Sequence, residues 1–194
     1  MVKININLFA EGEVVYTDGG FLAEFAWLLV VLPFIAALVI TFLGKSLPLK
    51  GAEIALGTIG IIFFYSLALM YLHITEGVAN EFFINVGSIG QFDIEFGWVV
   101  DGLSIMMYFV VGLVALLVFI YATNYMEGEI RYTFFFTSLT LFAGSMLVLV
   151  SSPTLIQILI GWELVGVCSY LLIGHYWEVK DNSSAAMKAF ITNK

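Results

Sequence analysis

The sequence predicts an all-α polytopic transmembrane helix bundle, with five full spans plus the start of a sixth and a β-hairpin loop on the outer face. Three observations predict it. Hydrophobic residues make up 61% of the chain and charged residues only 11%, with a mean hydropathy of +1.03, outside the range of soluble globular domains. The apolar residues gather into runs at 21–42, 54–73, 98–124, 132–151 and 154–173, each near the about 20 residues that a bilayer core requires. The basic residues between the runs fall on one side only.

Taken in order, residues 1–20 form a mostly polar arm carrying Glu11, Glu13 and Asp18. An arm of this kind before the first apolar run is not the basic start of a cleaved signal peptide, so the run at 21–42 is expected to stay as a span. Residues 21–194 are then expected to form one transmembrane domain, truncated or split. Between the second and third runs, Phe82-Phe83-Ile84-Asn85-Val86 and Phe92-Asp93-Ile94-Glu95-Phe96 flank a Gly-rich stretch, and the second of these alternates apolar with polar. That is the pattern of a hairpin. The sixth helix is expected to open at Asn182-Ser183-Ser184, read as an N-cap and first turn. Since the chain stops at Lys194, that helix would penetrate only about 15–18 Å at 1.5 Å per residue. The expectation is the N-terminal part of a larger protein, or one piece of a split one.

Lys45, Lys50, Arg131, Lys180 and Lys188 lie at one end of the runs, while the arm and the hairpin loop, with Glu76, Glu81, Asp93 and Glu95, lie at the other. The positive-inside rule makes the first end cytoplasmic, or its organellar equivalent, and puts the N-terminus on the outer side. The net charge of −8 comes mainly from the arm and that loop and does not suggest nucleic acid. The single Cys168 excludes an intrachain disulfide. His73 and His175 have no metal-ligand spacing and stand at span ends with Trp98, Tyr176 and Trp177, where aromatic belts form. There is no nucleotide-binding loop, Cys or His cluster, or Ser-His-Asp set.

The strongest functional candidate is Glu163, in the middle of the run 154–173. Placing a carboxylate at the centre of a span costs about 2.5–3.5 kcal/mol on insertion scales, so such groups usually face a bundle interior or a water-filled cavity and serve transport. A carboxyl group in low dielectric also favours its protonated form. The alternative is a structural carboxylate paired with a neighbouring helix. Gly166, Val167 and Tyr170 share its face at spacings of three, four and seven; the glycine allows close approach of a helix or water, or is simple packing, and Tyr170 can hydrogen-bond.

The segment Gly161-Trp-Glu-Leu-Val-Gly-Val-Cys-Ser-Tyr-Leu-Leu-Ile-Gly174, continued by Ser184-Ala-Ala-Met-Lys-Ala-Phe-Ile-Thr-Asn-Lys194, closely resembles the antiporter-like, NuoL-type subunit of respiratory complex I and its relatives in photosynthetic NDH and Mrp cation/proton antiporters. Val100-Asp-Gly-Leu-Ser-Ile-Met-Met107, Tyr121-Ala-Thr-Asn-Tyr-Met126 and Arg131-Tyr-Thr-Phe-Phe-Phe136 extend the resemblance from about Trp98 to the end.

The resemblance implies that Glu163 is the family's protonatable fifth-helix glutamate, on the polar axis that conducts protons along the membrane arm. It implies that Lys188 is the lysine of the family's Lys-Ala-Phe motif and Asp101 the acid of its Asp-Gly-Leu-Ser motif. It further implies no cofactor in this chain, with NADH, flavin, iron–sulfur clusters and quinone in other subunits. The implied partners are other membrane-arm subunits, including other antiporter-like ones, and the lipid bilayer. The implied location is a bacterial plasma, mitochondrial inner or thylakoid membrane. The family has arginine where this chain has Lys194, and its later-helix lysine and second inverted repeat have no counterpart in these residues. Residues 1–194 are therefore expected to act only with companion subunits or further chain. An Mrp-type sodium/proton antiporter fragment is the alternative within the same resemblance, and a purely structural remnant is a third reading.

Two of the implied residues also have ordinary readings. Asp101, near the start of the third helix, suits a charge stabilised by the helix dipole. Lys188 suits a snorkelling lysine. Glu163 lies about 15 Å from the basic end of its helix and Lys188 about 7 Å from the expected start of its own, so a long side chain and one or two waters could link them.

Overall fold

In hydrocarbon a backbone N–H or C=O finds no water, so each apolar run must satisfy its polar groups internally, and a helix does this along its whole length. The computed structural model describes residues 17–18, 20–89 and 92–193. Most of the N-terminal arm, with Lys3, Glu11 and Glu13, lies outside the described residues, as do the hairpin residues Gly90 and Gln91 and the terminal Lys194. The elements run β1 (Thr17–Asp18), α1 (Gly20–Glu24), α2 (Trp27–Leu43), α3 (Ala52–Glu76), β2 (Val78–Ile89), β3 (Phe92–Val100), α4 (Gly102–Tyr125), α5 (Tyr132–Ser151), α6 (Leu155–Ile173) and α7 (Lys180–Thr192). Among the described residues, five helices are long and apolar enough to cross a membrane: α2 with its following 3-10 turn, α3, α4, α5, and α6 with the turn after it.

The expected first span is broken, because α1 ends at Glu24 and α2 begins at Trp27. The third helix starts at Gly102 rather than Trp98, since Trp98–Val100 complete strand β3. The sixth helix starts at Lys180, with Val179 as an extended N-cap that makes no side-chain cap, so Asn182–Ser184 lie inside the helix rather than at its cap. Asp181 stands in that first turn, where the helix dipole favours a carboxylate.

The hairpin is longer than the alternation predicts. β2 and β3 pair antiparallel from Asn80↔Val100 to Ile89↔Phe92, with an irregularity between Asn85 and Gly87, and β1 adds a parallel pairing from Thr17↔Val78. Only glycine fits at Gly97, because a Cβ there would lie 1.9 Å from the Phe82 carbonyl oxygen.

The helices pack as α3 on α4, α2 on α5 and on α3, α5 on α6, and α6 on α7. Large buried side chains, Ile40, Ile62, Leu69, Tyr108, Phe119 and Phe136 among them, form a core shared by α2 to α5. Bulky residues such as Phe64 of α3, Leu117 of α4 and Leu159 of α6 are exposed, as hydrocarbon-facing surfaces require. Without a hydrophobic drive between helices in lipid, close approach depends on small residues. At Gly161 a Cβ would meet Leu149 Cα at 2.9 Å, which fixes how near α5 and α6 come. The buried hydroxyls of Thr140 and Ser145 donate back to Phe136 and Leu141 carbonyls of their own helix at 2.7 and 2.8 Å, so neither enters the packing as an unpaired donor.

The two ends of the bundle differ. At one end the Thr133 hydroxyl donates to the Lys50 carbonyl at 3.0 Å, and Arg131 pairs with Glu178. Lys45, Lys50, Arg131 and Lys180 therefore share that end, and the sheet occupies the other.

Candidate functional site

Glu163 sits half-buried in α6, eight residues from Leu155 and ten before Ile173. At 1.5 Å per residue that is about 12 Å and about 15 Å from the two helix ends, so its carboxyl group lies at mid-membrane depth.

α7 returns antiparallel along α6, and three contacts set the register. A Cβ at Gly174 would lie 3.4 Å from Ala186 Cβ, the Tyr170 and Phe190 rings stand 5.7 Å apart, and Trp162 Nε1 donates to the Asn193 carbonyl at 3.2 Å. Residues 163, 170 and 174 form one stripe at helical spacing, so Glu163 lies on the α7 side of α6, opposite the Gly161 and Cys168 stripe that packs on α5. Tyr170 is two turns, about 10 Å, from Glu163 along this stripe, and its ring is engaged with Phe190. At Gly166 a Cβ would touch Asn193 Nδ2 at 3.4 Å, so the glycine receives a side chain from α7.

This register also places Lys188. Although α7 starts three residues earlier than its sequence suggests, its first turns rise past the end of α6, and Ala186 is level with Gly174. Lys188 is therefore level with about residue 172 of α6, an axial distance of about 13 Å from Glu163. It is exposed and lies on the face of α7 opposite Ala186. The described residues do not bring Lys188 and Glu163 together.

Asp101 lies at the sheet end as the N-cap of α4. Its Oδ1 accepts from Ser104 N–H at 2.7 Å, and its own N–H donates to Ser104 Oγ at 2.8 Å, a reciprocal capping box. The local sequence Asp-Gly-Leu-Ser forms this box because both short polar side chains reach the free amides of a first helical turn.

A cavity of about 290 Å³ opens between α5, α6 and α7, lined by Phe142, Val165, Gly166, Ser169, Ala189 and Asn193. It begins one helical turn from Glu163 and has room and polar groups for several waters. Sequence reasoning did not reach this cavity, because Phe142 and Asn193 are brought together only by packing. It also passed over Gln157, a single polar residue in the first turn of α6 that is 6% exposed. Its Oε1 accepts from Gly97 N–H at 2.9 Å and its Nε2 donates to the Gly97 carbonyl at 2.8 Å. Among the described residues, no group of three or more His, Cys, Asp or Glu is placed to hold a metal ion.

Comparison with known proteins bears on this arrangement. Residues 87–136 match the family described as NADH-ubiquinone oxidoreductase (complex I), chain 5 N-terminus, and residues 152–194 match the family described as NADH:quinone oxidoreductase/Mrp antiporter, TM. Asp101 falls in the first match, and Glu163, Tyr170 and Lys188 in the second. The chain is 41% identical over 180 residues to NAD(P)H-quinone oxidoreductase chain 5 of Synechocystis, covering 89% of this chain and 26% of that protein. It is 40% identical over 181 residues to chain 5 of Picosynechococcus, covering 89% and 27%. It is 38% identical over 178 residues to subunit 5 of the Paulinella chromatophora organellar chromatophore, covering 88% and 27%. The chain thus spans about a quarter of the length of these relatives. Among solved structures it resembles a chain of the archaeal membrane-bound sulfane sulfur reductase, a respiratory membrane complex, with TM-score 0.69 and 14% identity over 86% of this chain and 33% of that one, a likeness of fold. The helices, the matched motifs and the identities agree: this is a membrane protein that belongs to the NuoL-type, antiporter-like chain 5 family of NAD(P)H-quinone oxidoreductases and corresponds to an N-terminal portion of it.

Proposed function

We propose that this chain serves as a membrane subunit of a proton-pumping NAD(P)H:quinone oxidoreductase and takes part in proton translocation through Glu163. The observation that carries the reading is a carboxyl group at mid-membrane depth on a helix face turned toward the neighbouring α7, in a chain whose relatives are named as chain 5 of such enzymes. Electron transfer, with NADH, flavin, iron–sulfur clusters and quinone, belongs to companion subunits. Energy released there alters the hydration and electrostatics around Glu163, so that it binds a proton and then passes it along a polar chain. Tyr170, Lys188 and Asp101 are secondary in this reading. Tyr170 and Lys188 lie on the basic-end side of Glu163, and Asp101 at the sheet end marks the opposite face. The basic end faces the cytoplasm, stroma or matrix, and the N-terminus lies across the membrane.

Glu163→Gln keeps the shape and removes the titratable group. In membrane vesicles containing the assembled complex it should abolish the contribution of this subunit to pumping, and Glu163→Asp should retain part of it. Wild-type pumping rate and proton-to-electron ratio in the glutamine variant would refute the reading. A second reading, the large subunit of an Mrp-type sodium/proton antiporter, draws on the family description for residues 152–194, which covers both classes. Loss of quinone-linked pumping in the Glu163 variant favours the first. Loss of sodium/proton exchange with no effect on electron-transfer coupling favours the second.

A further inference from the structure

The free edge of β3 meets the first turn of α6. β3 pairs with β2 along one edge, and on the other the Gly97 N–H and C=O are both taken by the Gln157 side-chain amide at 2.9 and 2.8 Å. Two residues back, the Glu95 carbonyl accepts from Thr154 Oγ1 at 3.1 Å. A primary amide offers one donor and one acceptor, the pair that a neighbouring strand would present to an unpaired edge residue. Gln157 thus stands in for a strand, and the close Phe82 carbonyl leaves no room for any residue but glycine at its partner. Two parallel hydrogen bonds from one planar group fix translation along the helix and rotation about it, which a single bond does not.

Gln157 lies six residues before Glu163, about 9 Å along a continuous helix. An anchor that sets the rotation of the first turn therefore sets the direction of the Glu163 carboxyl group. We propose that Gln157 is a positioning residue for Glu163: by clamping α6 to the Gly97 backbone, it holds the carboxyl group on the face where proton transfer occurs. The inference rests on the role proposed for Glu163.

The test uses membrane vesicles containing the assembled complex and compares Gln157→Met, Gln157→Glu and Glu163→Gln, reading the proton-to-electron ratio against pH with electron transfer as reference. Methionine fills the space without either bond. A carboxylic acid, when protonated, offers the same donor and acceptor as the amide, and when ionised only accepts. The ratio should fall in Gln157→Met at every pH. In Gln157→Glu it should be lost at high pH and recovered as the pH is lowered. Among the described residues, Asp18, Glu24, His73, Glu76, Glu81, Asp93, Glu95, Asp101 and Tyr108 are the titratable groups carried to this end by the sheet, α1, α3 and α4, whereas the facing ends of α5 and α6 carry none. All of these are present in the wild type and in Gln157→Met as well, whose profiles are therefore the reference. A Gln157→Glu ratio that follows the wild-type profile throughout overturns the inference, whether or not Gln157→Met assembles. If Glu163→Gln pumps normally, the proposed function fails; if it does not pump while both Gln157 variants couple normally, only the positioning role fails.

Discussion

Asp101 and Ser104 bind each other's backbone amides across the first turn of α4, at 2.7 and 2.8 Å. The box satisfies two amides that a helix start leaves open, one through the Asp101 carboxylate and one through the Ser104 hydroxyl. Asn caps about as well as Asp, whereas Ala costs about 0.5–2 kcal/mol. Asp101→Asn should therefore leave both assembly and pumping near wild type, and Asp101→Ala should lower the thermal stability of the assembled complex. If Asp101→Asn instead removes pumping with assembly intact, the charge itself is needed and Asp101 belongs to the proton path.

Gly161 lets the backbones of α5 and α6 meet, with 2.9 Å between its ideal Cβ position and Leu149 Cα. Backbone cannot yield as a flexible side chain does, so Gly161→Ala should cost about 1–3 kcal/mol through forced separation of the helices. The measurement is the yield and inactivation temperature of the complex in mild detergent. An alanine variant with both unchanged would show that α5 and α6 can part enough to take a methyl group without loss.

Hydropathy made the five spans legible, and the bounds of α5 at Tyr132–Ser151 coincide with its apolar run. It misread the start of α4, because the apolar end of a strand, Trp98–Val100, is indistinguishable by hydropathy from the first turn of a span. The Asp-Gly-Leu-Ser box was the better marker, since capping needs a side chain at a fixed offset. Mid-membrane Glu163 was legible because hydrocarbon makes a carboxylate conspicuous. The 60-residue separation of Gln157 from Gly97 hid their pairing, and the level of Lys188 depends on how far α7 rises past α6, which no local pattern encodes.

The basic residues gathered at one end of the bundle predict orientation. Single cysteines at Gly87, exposed in β2, and at Ser46, exposed after α2, introduced with Cys168 replaced, should react with an impermeant thiol reagent from opposite sides. Gly87→Cys should label from outside and Ser46→Cys only after access to the inside. The reverse pattern would overturn the assignment of the basic end to the cytoplasmic or equivalent side.

Arg131 holds the connection between α6 and α7 with one planar group. Its Nη1 donates to the His175 carbonyl, its Nη2 pairs with Glu178, and its guanidinium carbon lies 3.9 Å from the Trp177 ring centroid. The three contacts differ in weight. Glu178 is mostly exposed, so the ion pair alone contributes about 0.2–1 kcal/mol. The ring contact adds about 0.5–1 kcal/mol, and the bond to the His175 carbonyl meets a group in a residue only 5% exposed, where a lost partner costs about 1–3 kcal/mol. Lysine keeps the charge but cannot stack flat on Trp177 while reaching both oxygens. Hydrogen exchange of the amides between Gly174 and Val179 should therefore accelerate strongly in Arg131→Ala, nearly as much in Arg131→Lys, and little in Glu178→Gln. Equal acceleration in Glu178→Gln and Arg131→Ala would show that the ion pair, not the carbonyl bond and the ring, fixes where α7 begins.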